Sequence, residues 1–136
     1  MANMFDGLSG ALIAKVMARQ NAEAEGEAIE ILNPPQSANI LVVGFGPGVG
    51  LSRLASRIHS GTIVGVDPSV AMMREAGRRN RRHIAEGKVS IHQTTADAIP
   101  APSQHFDAAI AVNSLQLCDP FIDTAREIAR VLRPQA

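Results

Sequence analysis

Four consecutive apolar residues, Ile40-Leu41-Val42-Val43, run straight into Gly44-Phe45-Gly46-Pro47-Gly48-Val49-Gly50, and a segment with helical spacing follows. A short continuous apolar run closed by glycines reads as a strand covered on both faces. Glycines here permit positive φ and let a ligand approach the backbone, while the next helix's N-terminus offers unpaired N–H donors suited to a carboxylate or phosphate. The spacing is G-x-G-x-G and not the dinucleotide G-x-G-x-x-G, because the sixth position is Val49 counted from Gly44 and Leu51 counted from Gly46. The plainer alternative is a turn that only packs helix against strand.

The same unit recurs along the chain. Leu51 to His59 predicts a helix, with Leu51, Leu54, Ala55 and Ile58 on one stripe. Thr62 to Val66 is a second strand, and a helix from Ser69 to about Glu86 follows, with Ser69 as N-cap and Gly87 past its end. Val89 to Gln93 alternates more and suits a sheet edge; Asp107 to Val112 is a fourth strand, and Phe121 to Leu132 a helix stopped near Pro134. Ahead of them, residues 8 to 32 predict one or two helices from the spacing of Leu8, Leu12, Val16, Arg19, Ile29 and Leu32, ended by Pro34-Pro35. Glu23, Glu25, Glu27 and Glu30 suggest a solvated acidic face on that segment. Strands alternating with helices imply a parallel sheet with right-handed crossovers. The expected organisation is an N-terminal helical segment, residues 1–38, leading into a single α/β domain, residues 39–136. That stretch holds about three and a half strand-plus-helix units at roughly 30 residues each, and another strand would be expected where the chain stops.

Composition narrows the partners. Thirteen Lys plus Arg balance thirteen Asp plus Glu for a formal net charge of zero, which argues against long-range attraction to nucleic acid or to an anionic membrane. The apolar runs are far shorter than the roughly 20 residues that span a bilayer, and the N-terminus lacks a signal-peptide layout, so a cytoplasmic protein is expected. Cys118 is the single cysteine, which excludes an intrachain disulfide and a multi-cysteine metal site; no metal is expected. With no Trp, no Tyr and four Phe, base stacking on aromatic platforms is disfavoured. The one basic cluster, Arg74, Arg78, Arg79, Arg81, Arg82 and His83, reads as a solvated helix face balanced by Glu75 and Glu86.

Three further places carry polar groups to the rim where the glycine run lies. Asp67 ends the second strand, where a carboxylate can accept both hydroxyl hydrogens of a ribose; Asp67-Pro68-Ser69 also starts a helix well, so simple capping is the alternative. Asp97-Ala98 follows the third strand and suits the amino group and ring nitrogen of an adenine, although Asp is an ordinary turn residue. Asn113-Ser114-Leu115-Gln116 follows the fourth strand and faces the ligand from the other side of the switch point.

Together these residues resemble the class I S-adenosylmethionine-dependent methyltransferases, most closely the small-molecule branch that includes ubiquinone and menaquinone biosynthesis enzymes. The likeness runs from about Met17 onward. It rests on Val43-Gly44-Phe45-Gly46-Pro47-Gly48, on Gly65-Val66-Asp67-Pro68-Ser69 with Met72, and on Asp97-Ala98, Phe106-Asp107, Val112 to Leu115 and Ile128 to Pro134. It implies an incomplete three-layer Rossmann-like fold with a mainly parallel sheet in the order 3-2-1-4. S-adenosylmethionine is the implied cofactor, S-adenosylhomocysteine the product, and a small molecule the methyl acceptor. By that likeness Gly44, Phe45, Gly46, Pro47 and Gly48 border the methionine part, Asp67 the ribose, and Pro68, Met72, Asp97 and Ala98 the adenine. Asn113 and Ser114 then lie near the sulfonium and amino-acid end.

The chain departs from this pattern twice. Where the family usually has an acid two residues before the first glycine, this chain has Val42, and the family's fifth parallel strand and antiparallel pair have no counterpart before Ala136. An apolar fourth strand with an open edge promotes association, so pairing of two chains there, or exchange of elements, is expected. No catalytic residue is nominated, because the sulfonium is already activated and positioning supplies much of the rate. His59, His83, His92 and His105 match no motif position and read as surface or loop residues; Gln116 cannot act as a base, and Cys118 reads as a small core residue. Two readings from other classes remain: a non-catalytic cofactor-binding or dimerisation module, and a nicotinamide dinucleotide oxidoreductase, which fits Asp67 but not the glycine spacing.

Overall fold

The computed structural model describes residues 22–111 and 121–134. Its elements, in chain order, are α1 (Ala22–Leu32), β1 (Ile40–Val43), α2 (Val49–Arg57), β2 (Ile63–Val66), α3 (Val70–Arg79), α4 (Arg81–Ala85), β3 (Val89–His92), β4 (Ala108–Ala111) and α5 (Phe121–Val131). The four strands pair in parallel, as the alternation of strands and helices predicts, and in the order β3-β2-β1-β4 that the family resemblance implies. Val43 lies level with Val66 and with Ala111, and Val66 with His92, so the loops after all four strands leave from one rim.

Side chains alternate across a strand, and here both faces are covered. Ile40 and Val42 point to one side, into a cluster with Ile63, Val89, Ile110, Leu51, Leu54, Ile58 and the α1 residues Ala28 and Ile29. Leu41 and Val43 point to the other, where Val66, Ala109, Ala111 and Phe106 meet Ile128 and Val131 of α5. Helices thus form layers above and below the sheet. At the strands' N-terminal ends, Asn39 donates its N–H to Asp107 Oδ2 at 2.8 Å and accepts from Thr62 N and Oγ1 at 3.1 and 3.0 Å. Arg133 closes this network on Asp107 Oδ1 at 2.7 Å, and Leu132 forms a parallel bridge with Phe106.

Two expectations need correction. The single helix from Ser69 to Glu86 is two helices, broken at Asn80, whose backbone leaves the helical region at φ −109° and ψ 21°. Asn80 is buried and its amide bonds backbone carbonyls, a competition with the helix that Asn conducts better than most residues. Both outer ends are as expected. Ser69 Oγ accepts the Met72 N–H at 3.2 Å, and Gly87 at φ 82° closes a Schellman turn, with Gly87 N–H to Ile84 O and Lys88 N–H to His83 O. The second correction concerns the acidic face of α1. Glu27 and Glu30 are exposed, but Glu25 is partly buried against α2. Burial pushes the Glu25 carboxyl above its ordinary range, against the opposing pull of Arg53 and a hydrogen bond from the Gly50 N–H. The contact is reciprocal. A Cβ on Gly50 would stand 2.6 Å from Glu25 Oε2, and one on Gly26 would stand 2.5 Å from Arg53 Nη1, so each glycine makes room for the other helix's charged side chain.

Helix α5 also holds the loop after β3. Glu127 accepts two parallel bonds from Arg130, Nε and Nη2 each at 2.8 Å, and takes the Ile99 N–H at 2.8 Å. Arg130 reaches on to the Ile99 and Ala101 carbonyls at 3.2 and 3.0 Å. The guanidinium holds the Glu127 carboxyl below its ordinary value of 4.5; burial opposes this and the Ile99 N–H adds to it. A carboxyl depressed in the folded state contributes stability above its unfolded pKa and loses it as pH falls through the folded pKa. Glu127→Gln should therefore lower the urea midpoint near neutrality, and the gap from the parent should close as pH is taken below about 4.

Candidate functional site

The glycine run forms a turn that its own side chains cannot fix. Gly44, Gly46 and Gly48 all have positive φ, at 71°, 56° and 95°, which L side chains rarely adopt. Gly44 continues the sheet with its N–H on Val66 O at 2.8 Å, and Gly48 is the residue before α2, with no side chain to cap that helix. Anchors come from elsewhere. Asp67 Oδ2 accepts the Gly46 N–H at 3.0 Å, Arg79 Nε donates to Pro47 O at 3.2 Å, and Asn80 Nδ2 donates to Gly48 O at 3.1 Å. Gly50 is held by Glu25.

Asp67 is 8% exposed and links the glycine turn to the next loop. Its second oxygen accepts the Ser69 N–H at 2.9 Å, so it sets the turn into α3, whose cap is Ser69 itself, and also holds Gly46. A carboxylate offers about four acceptor positions, and these two bonds leave room for ligand hydroxyls. Above Gly46 the space is open: a Cβ there would meet nothing within 4 Å.

The remaining candidates sit unevenly around this centre. Phe45 is fully buried and its ring lies 2.8 Å from where a Gly65 Cβ would be, so its side chain belongs to the core and only its backbone borders the turn. Pro47 is half-buried in the turn; Pro68 is exposed beside Asp67; and Met72 is half-buried, packed against the first core cluster. Asp97 and Ala98 are exposed on the loop after β3, on the same rim. There Asp97 bonds Thr95 Oγ1 and the Ala98 N–H is donated to Thr95 O at 3.1 Å. The Ala98 amide is thus engaged within the turn. Asn113, Ser114, Gln116 and Cys118 lie outside the described residues.

Beside Glu25 and the buried ring of Phe45, three further residues differ from the sequence reading. Arg79 touches the turn and is more than part of a solvated face. Asn80 is 1% exposed and gives its amide hydrogens to Gly48 O and Ala76 O, both at 3.1 Å, while its Oδ1 has no partner. His83, read as a surface residue, is half-buried with its Nδ1 unpartnered and 3.9 Å from Glu86 Oε1. A polar residue inside an otherwise periodic helix was the one available signal for Asn80. Among the described residues no group of three or more His, Cys, Asp or Glu is placed to hold a metal ion, and no helix is long and apolar enough to cross a membrane.

The family profile described as "Methyltransferase domain" matches residues 40–135. YdaC, an uncharacterized methyltransferase of Bacillus subtilis, is 29% identical over 119 residues, covering 88% of this chain and 64% of that protein. A fatty-acid O-methyltransferase of Mycolicibacterium smegmatis is 34% identical over 99 residues, 73% of this chain and 35% of its own length. The crystal structure of a SAM-dependent methyltransferase from Aquifex aeolicus superposes with a TM-score of 0.72 at 18% identity, covering 81% of this chain and 58% of that one. The chain thus spans between about a third and two thirds of the length of these proteins.

Removing the Asn80 amide would take one bond each from the Gly48 and Ala76 carbonyls, which keep the Ser52 and Asn80 N–H groups, and would open a gap beside Ala76. Asn80→Ala should lower unfolding free energy by about 1 to 3 kcal/mol, the scale for losing two intramolecular hydrogen bonds, read from urea unfolding.

Proposed function

The chain belongs to the methyltransferase-domain family, and we propose that it binds S-adenosylmethionine at the Gly44–Gly48 turn and donates its methyl group to a small molecule. The observation that carries this reading is the open backbone at Gly46, bordered by the buried carboxylate of Asp67. A nucleoside ligand needs both parts: close approach to backbone on one side and acceptors for its ribose hydroxyls on the other. Pro68, Met72, Asp97 and Ala98 would border the adenine, with Asn113 and Ser114 assigned to the sulfonium end. The SAM-dependent relative from Aquifex aeolicus and the fatty-acid O-methyltransferase support this cofactor and this class of acceptor.

When bound, the donor supplies an activated sulfonium carbon. The protein's part is to hold the ribose at Asp67, align the donor along the glycine turn and present the acceptor in line, and positioning of this kind supplies a large share of such a rate. Val42, 3% exposed within the first core cluster, favours a second reading in which the site binds cofactor without turnover. A cytoplasmic setting and the division at residue 38 belong to the same proposal.

Calorimetric titration separates these readings. S-adenosylhomocysteine should bind and NAD should not, and Asp67→Asn should weaken the former by about 1 to 3 kcal/mol. Binding of neither ligand overturns the methyl-donor reading; binding of S-adenosylmethionine without methyl transfer to any small-molecule acceptor supports the second. Pairing of two chains along β4 is also part of the proposal, supported by β4 having β1 as its one strand neighbour among the described residues. Light scattering should then report a dimer, and a monomer at high concentration overturns that pairing.

A further inference from the structure

Asp97 and Ala98 are exposed, yet the residues on either side of them, Ala96 and Ile99, are buried in the second core cluster. The turn they form is closed within itself: the Ala98 N–H donates to Thr95 O and Thr94 Oγ1 to Ala98 O, both at 3.1 Å, and one oxygen of Asp97 accepts from Thr95 Oγ1. The other carboxylate oxygen of Asp97 has no partner among the described residues. Such a unit turns as one piece. Burial of Ala96 and Ile99 sets its depth, but apolar contact is non-directional and leaves its rotation at the rim undetermined. Direction comes from α5. Glu127 Oε2 takes the Ile99 N–H at 2.8 Å, and Arg130 Nη2 donates to the carbonyls of Ile99 and Ala101 at 3.2 and 3.0 Å. Both backbone polar groups of Ile99 are therefore gripped by one ion pair, in which two parallel bonds from Arg130 to Glu127 fix the plane of the guanidinium. Among the described residues neither side chain bonds Asp97 itself.

We propose that Glu127 and Arg130 are positioning residues for base selection: by gripping Ile99 they aim the free oxygen of Asp97 at the exocyclic amino group of an adenine, so that a pair on α5 decides how sharply the site tells adenine from a purine without that group. This rests on the methyl-donor reading, in which Asp97 borders the adenine. A hydrogen bond weakens steeply as its angle falls toward about 120°, so rotation of the turn would take the acceptor away from the amino group. The same rotation would leave Asp67 and the glycine turn in place, since their bonds run to other stretches of the chain. A part that only stabilises the fold lowers the affinity for every ligand alike. A positioning pair alters the preference between two.

Calorimetry on the full chain compares S-adenosylhomocysteine with its analogue carrying purine in place of adenine, which lacks only the amino group. Wild type should favour S-adenosylhomocysteine about tenfold or more, the scale of one hydrogen bond to a charged group. Glu127→Ala and Arg130→Ala should each bring that ratio to about threefold or less, as the bond loses its alignment. Asp97→Ala should abolish the preference, and adding Arg130→Ala to it should change the ratio no further, because both act on one bond. Arg130→Lys keeps the charge but not the planar fork, and should show the same fall if an alanine variant is too unstable to titrate. An unaltered ratio in the Glu127 and Arg130 variants reduces the pair to a structural part and overturns the inference. A wild-type ratio near one overturns it too, while binding of S-adenosylhomocysteine keeps the methyl-donor reading standing. If wild type binds neither ligand, that reading falls and this inference with it.

Discussion

The hydrogen bond from the Gly46 N–H to Asp67 ties the end of β2 to the turn after β1, and the rim of the sheet is organised around it. A turn rich in glycine loses more conformational freedom on folding than any other, and it has no side chains with which to hold itself. Its geometry has to be imposed from outside. Asp67, Arg79, Asn80 and Glu25 do this from three different stretches of the chain, each through a backbone group of the turn or of the helix it opens. The side above Gly46 carries no such tether and stays clear. Backbone that is fixed from beneath and bare above is what a ligand needs if it is to be gripped without first ordering the loop.

Parallel register gives this turn its neighbours. Because β1, β2, β3 and β4 run the same way and in step, the loops carrying Asp67 and Asp97 emerge beside the glycine turn without any long-range adjustment. The two acids are nevertheless held differently. Asp67 is buried and bonded to two backbone amides, whereas Asp97 is exposed and bonded within its own turn. The Asp97 loop takes its position from the far side of the sheet, through Glu127 and Arg130 of α5. One helix layer thus serves the glycine turn and the other serves the loop after β3.

Periodicity made the sheet legible in advance. Apolar runs of four residues between helical stripes were enough for parallel strands with both faces covered, while the order of the strands, and with it the rim on which the polar residues gather, came from the family resemblance. What stayed hidden depends on which neighbour a side chain meets. Glu25 sits among four acids in a segment that looks solvated, and only the approach of α2 at Gly50 buries it. Asn80 fits a helical pattern until the Gly48 carbonyl draws its amide inward and the helix breaks. Phe45 lies within a motif whose flanking glycines suggest exposure, but its ring fills the space that Gly65 leaves on the next strand. In each case a pair distant in sequence decides the outcome, and no local pattern reports it.

The crossing of α1 over α2 is keyed by two absent side chains. Gly26 is the notch that receives Arg53, and Gly50 the notch that receives Glu25. Apolar contact of Ala28 and Ile29 with the core carries no direction of its own along the axis. The notches add direction to it. A slide along the axis would carry Glu25 off the Gly50 amide and Gly26 off the Arg53 guanidinium, so both charged ends would have to be re-seated. Two glycines on facing helices thus act as a dovetail that favours one axial alignment of α1.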